Sequence, residues 1–92
     1  MLKEFKIIYV TIHHNRGLFI FARHLGEDHN FKVNEGSILR DLPVYHYSEI
    51  QPKEKETGKL QNDVFVFRPV EMDRLFDRSF KEGDMVTLVL SE

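Results

Sequence analysis

The sequence predicts an all-β domain, a small antiparallel six-stranded β-barrel with one short helical turn near residues 73–80. Three observations lead there. The apolar residues gather in short runs rich in Val, Ile, Phe and Tyr, the residue types that suit a pleated surface. Turn chemistry built on Gly and Asn separates those runs at short intervals. Only one stretch, Met72, Leu75, Phe76 and Phe80, carries apolar residues at helical spacing. With 92 residues, 41% of them hydrophobic, the chain has material for one core, so residues 1–92 read as a single domain.

The elements follow in order. Residues 3–12 alternate Phe5, Ile7 and Tyr9 with Lys6, Ile8 and Val10, which predicts a strand partly covered on both faces. Asn15-Arg16-Gly17 supplies a turn, and residues 18–25 return as the second arm of a hairpin. Residues 26–30 are polar and read as an irregular loop, followed by a second turn at Asn34-Glu35-Gly36. From Leu42 to Ile50 one face holds Leu42, Val44, His46, Ser48 and Ile50 and the other Tyr45 and Tyr47, with Pro43 at an edge or strand start. Residues 51–59 are the longest polar run and read as a mobile, exposed hairpin loop joining two strands. Val64-Phe65-Val66-Phe67 is the clearest strand and is expected to run on toward Met72, with Pro69 at an edge or bulge. After the helical turn, Glu82-Gly83-Asp84 leads into a closing strand, Met85–Leu90.

Composition narrows the function. With no cysteine, disulfide scaffolds, thiolate metal sites and cysteine nucleophiles are excluded. The net charge is -2, with 6 basic and 5 acidic residues before Tyr47 against 7 and 10 from it onward. Neither half is a basic patch, so binding of bulk DNA is not expected and any RNA contact should be local and weak. No apolar run is long enough to span a membrane, and the opening Met-Leu-Lys-Glu places an acid where a signal peptide would start its apolar region, which points to a cytoplasmic location and no membrane partner.

Several residues invite chemistry. His13 and His14, adjacent on a strand, should point to opposite faces and so not share a metal. His24 and His29, with Glu27 and Asp28, offer two imidazoles and a carboxylate near one loop, the donor set of a catalytic zinc site, although exposed loops often carry such residues without binding anything. His46 reads as an interior or rim histidine. Glu71, Asp73 and Asp77 alternate with Arg68, Arg74 and Arg78 as a solvated, charge-paired face. Phe19, Phe21, Phe65 and Phe67 could form a base-stacking platform, but spacing of two favours one face packed into a barrel interior.

The C-terminal third resembles a known domain. Val70-Glu71-Met72-Asp73-Arg74, followed by Gly83-Asp84-Met85-Val86 and an aliphatic strand, is similar to the end of the second domain of elongation factor Tu and other translational GTPases. Arg16-Gly17-Leu18-Phe19-Ile20-Phe21-Ala22-Arg23 resembles that family's Arg-Gly-x-Val-x-x-Gly-Arg, and Phe31-Lys32-Val33 with Gly36 its next segment, in the same order. The resemblance implies a six-stranded barrel that contacts a protein or ribonucleoprotein partner. By match to the motifs it assigns Glu71 and Arg74 to that contact, with Arg16 and Arg23 as a secondary patch. Asp73 and Met85 stand where the family lines its aminoacyl pocket, so the resemblance does not extend to that lining. No phosphate-cradling Gly-x-x-x-x-Gly-Lys-Ser/Thr sequence occurs, so GTP hydrolysis and a nucleotide cofactor are not expected.

The expectation is therefore a non-catalytic adaptor barrel working through its loops and an exposed strand edge. The alternatives are a small ligand- or metal-binding barrel using His24, Glu27, Asp28 and His29, and a regulatory subunit that dimerises through an open edge.

Overall fold

The computed structural model describes residues 1–91. Six strands, β1 (Leu2–His13), β2 (Gly17–His24), β3 (Ile38–Leu39), β4 (Leu42–His46), β5 (Val64–Pro69) and β6 (Met85–Val89), form a closed barrel in the order β1-β2-β5-β4-β3-β6. Every pairing is antiparallel. The fold class predicted from sequence is the one observed. Closure gives each strand two neighbours, so no whole strand lies at an edge, although β1 outruns β6 and its residues 9–13 pair with β2 alone.

The longest strands make the frame. β1 pairs with β6 through its first half, Leu2 to Lys6, and with β2 from Phe5 to His13, with a bulge between Ile7 and Tyr9. A bulge inserts one extra residue and turns the strand, letting β1 serve two partners as the sheet curls shut. The core takes Phe5 and Ile7 from β1, Leu18, Ile20 and Ala22 from β2, Phe65 and Phe67 from β5, and Leu39, Leu42, Val44, Val86 and Leu88 from the rest. Phe31 and Val33, from the connection between β2 and β3, pack against this core. Phe31 closes one barrel end against Phe5 and Phe65. Phe80 is buried among the core residues beneath the Arg40 guanidinium, 4.0 Å from its ring centroid, at the β3–β4 turn.

Several local expectations are corrected. The strand foreseen over residues 42–50 ends at His46, because Tyr47 makes a last backbone bond to Val66 and the chain then turns away at Ser48 and Glu49. A two-residue strand, β3, precedes it and closes the barrel against β6. β5 stops at Pro69 rather than reaching Met72, consistent with a residue that cannot donate to a ladder. The helical turn is a 3₁₀ turn at Met72–Arg74, earlier and shorter than the expected 73–80. The helical spacing there does not describe a core face: Met72 is 79% and Phe76 50% exposed, while Phe80 alone is buried. The exposed hairpin loop expected over residues 51–59 lies within a longer connection, residues 47–63, with Lys53 bridged to Leu60.

Candidate functional site

Strand alternation decides which side chains leave the barrel. Leu18, Ile20 and Ala22 of β2 face the core, so Phe19 and Phe21 face outward, contrary to the expectation that they pack inside. Both faces of β2 are apolar, and sequence spacing alone cannot say which one the core takes. Phe65 and Phe67 do face inward as expected.

The outward residues line up in rows across β1, β2, β5 and β4. Tyr9 sits beside Phe21, which pairs with Val66, whose carbonyl accepts a bond from the Tyr47 N–H at 2.7 Å. In the next row Thr11 stands beside Phe19, and Tyr45 pairs with Arg68. The Arg68 guanidinium links the rows: it lies 4.4 Å from the Phe19 ring centroid and 5.6 Å from that of Tyr47. It also donates to the carbonyls of Leu18 and Arg16 and to the Tyr45 hydroxyl. Phe19 is thereby covered, to 5% exposure, whereas Tyr9 keeps 50% and Tyr45 39%. Lys6 and Arg23 form a third outward row.

Charge on this face is one-sided. No Asp or Glu lies among the outward residues of these rows. The flanking acids are engaged: Asp63 pairs with Arg23 at 3.0 Å, and Glu49 accepts a bond from the Tyr47 hydroxyl at 2.6 Å. That bond, with some burial and the Glu49 charge, raises the Tyr47 pKa above 10.0, and nearby Arg16 and Arg68 act against it. A chain of net charge -2 thus presents an aromatic, cationic face.

The four residues singled out by resemblance are divided. Arg16 and the segment carrying Glu71 and Arg74 meet at one barrel end, where the Leu18 N–H bonds to the Leu75 carbonyl at 2.8 Å. Arg23 lies at the far end of β2, held by Asp63. Glu71 is exposed. Arg74 is committed to two acids, 2.6 Å from Asp77 and 3.6 Å from Asp41, tying the segment after β5 to the β3–β4 turn. Burial would raise the pKa of Asp77, but the Ser79 hydroxyl and N–H and the Arg74 guanidinium more than offset it and hold it at about 2. The charge-paired face expected here is realised only for Arg74 and Asp77; Arg68 turns instead to carbonyls and rings.

At the Arg23 end, His24 turns inward and is 5% exposed, its ring against Phe5 and Phe31 at 5.2 and 4.9 Å. Its Nδ1 lies 2.9 Å from Nδ1 of His29, so one neutral ring donates and the other accepts. The structure therefore brings together the two loop histidines marked in the sequence. Among the described residues, however, no group of three His, Cys, Asp or Glu side chains is placed to hold a metal, so Glu27 and Asp28 do not complete a site. His13 and His14 also depart from expectation: β1 ends at His13, alternation lapses, and the two rings stack with centroids 4.8 Å apart. His46 stands at the rim with its ring 5.2 Å from Phe65, and burial there lowers its pKa below 6.5. A groove of about 680 Å³ lies between the two long connections, lined by His29, Phe31, His46, Gln51, Gln61 and Phe65 among others.

No protein-family model, curated protein or solved structure matches the chain. Among the described residues no helix is long and apolar enough to cross a membrane.

The histidine pair makes a pH-dependent contact. Burial first, then the charges of His29 and Lys3, lower the His24 pKa below 6.5, with Asp28 opposing. The unfolded chain then takes up a proton at His24 more readily than the folded one. This contribution to stability is complete above pH 6.5 and is lost as pH falls through the lower folded value. Histidine ring resonances followed by NMR should show His24 titrating below 6.5, with the amides of residues 25–31 shifting in step. A His24 midpoint at or above 6.5 contradicts the buried pair.

Proposed function

We propose that this chain is a non-catalytic binding barrel, similar to the second domain of translational GTPases, that engages a protein or ribonucleoprotein partner. The observation that carries the reading is the outward face of β1, β2, β5 and β4, where half-exposed Tyr9 and Tyr45 stand with Lys6, Arg16 and Arg68, none of which is paired with a carboxylate among the described residues. Tyrosine and arginine supply much of the energy at binding surfaces, because each combines a large apolar area with directed hydrogen bonding. The motif residues Glu71 and Arg16 flank the same barrel end as Arg68, which supports their part in the contact; Arg74 would support it by holding the segment in place.

Passing ribosomal subunits and transfer RNA over the immobilised chain in low salt tests the ribonucleoprotein branch. Salt-sensitive retention is expected, since phosphate contacts release counterions. Finding none with either probe removes that branch and leaves a protein partner.

A second reading rests on the groove between residues 25–31 and 47–63, whose volume of about 680 Å³ is that of a small-molecule site. It makes the barrel a small ligand-binding domain beside the His24–His29 loop. A small molecule retained in stoichiometric amount and seen by native mass spectrometry favours it.

A further inference from the structure

We infer that the outward face of β1, β2, β5 and β4 is a platform for single-stranded RNA, an inference that rests on the binding-barrel reading and names its occupant. The strand register places the tyrosines on one outward surface, Tyr9 on β1 and Tyr45 on β4 with β2 and β5 between them, and Tyr47 directly after β4. Tyr9 and Tyr45 are 50% and 39% exposed, so their rings are accessible to a flat partner. Three cations at this surface have no carboxylate partner: among the described residues neither Lys6 nor Arg16 is paired with a carboxylate, and Arg68 contacts only carbonyls, rings and a hydroxyl.

Three physical arguments select the occupant. An acidic peptide would satisfy the cations but bring carboxylates against aromatic faces, which carry negative potential; a nucleobase stacks on those faces while its phosphate reaches the cations. A duplex hides its base faces and is held mainly by phosphate neutralisation, for which three cations are few. RNA rather than DNA follows from the hydroxyls beside the rings, Tyr9 and Thr11, which can donate to or accept from a ribose 2′-hydroxyl. The overall charge of -2 concealed this surface, because charge segregated by strand face does not segregate along the chain.

Fluorescence anisotropy with a labelled twelve-nucleotide oligouridylate tests it, with the matching deoxyoligonucleotide, a duplex RNA and polyglutamate in parallel. The oligouridylate should bind best, its affinity falling about twentyfold between 50 and 200 mM salt if three phosphates are neutralised. Tyr9→Ala and Tyr45→Ala should each weaken it about five- to a hundredfold, whereas Tyr9→Phe keeps the stacking and narrows the preference for RNA over DNA. Circular dichroism of each variant, at half-exposed positions, verifies that the barrel is intact. No oligouridylate binding, binding that the tyrosine substitutions leave unchanged in folded variants, or equal or tighter binding of DNA, duplex or polyglutamate overturns the inference. The broader reading has its own readout: retention of ribosomal subunits by a chain that ignores oligouridylate keeps the adaptor and discards the platform.

Discussion

Phe67→Ala should destabilise the barrel by about 3–5 kcal/mol, the usual range for emptying a buried phenylalanine site. Phe67 is fully buried on β5 and meets Phe5 edge-on at 5.3 Å and Phe65 face-on at 6.1 Å. Its removal leaves a cavity at the middle of the barrel that strands paired on both sides cannot collapse to fill. A domain of this size holds about 5–14 kcal/mol in total, so the variant should be partly unfolded at physiological temperature. Urea denaturation followed by circular dichroism measures the difference. The informative control is Phe21→Ala, on the outward face beside Tyr9, which should cost less than half as much. Equal losses at the two positions would mean that the assignment of faces on β2 and β5 is wrong.

Gly17→Ala comes next in size. Gly17 opens β2 with φ of +85°, a backbone region that costs a residue with a Cβ about 1–2 kcal/mol. Space adds to that, since a Cβ would stand 2.5 Å from the Leu75 carbonyl oxygen. That oxygen accepts the Leu18 N–H bond, whose loss adds about 1 kcal/mol. The effect should appear as a lower melting temperature and as faster hydrogen exchange at the Leu18 amide. An alanine variant as stable as the parent would show that Leu75 does not press on this turn. The same contact holds the segment bearing Glu71 and Arg74 against the hairpin bearing Arg16, so the variant should also disturb the end of the barrel that the motif residues share.

The strands were legible because their residues obey a local rule. Phe5, Ile7, Val64-Phe65-Val66-Phe67 and Met85 to Val89 alternate or cluster as strands do, and the turns at Gly17, Gly36 and Gly83 all adopt positive φ, which only glycine accepts readily. The helical spacing from Met72 to Phe80 misled because four apolar residues at the right intervals need a surface to cover, and only Phe80 reached the core. The candidate site was legible in parts. His24 and His29 stood out as a pair near one loop and are joined, yet their contact is a hydrogen bond rather than a ligand set. Phe19 and Phe21 read as a possible platform in the sequence, but Tyr9, Tyr45, Tyr47 and Arg68 lie 10 to 49 residues away in the chain and meet them only through strand pairing.

The sequence by itself determined the all-β class, the positions of the turns and the inward-facing pattern of β5, since side-chain period and glycine geometry act between near neighbours. Tertiary structure alone decided which face of β2 the core would take, because both faces are apolar and the choice depends on strands that arrive later. It also decided that the sheet closes into a barrel, and that cations scattered along a slightly acidic chain share one aromatic surface. Pairing between distant strands sets those outcomes, and no local interaction encodes them.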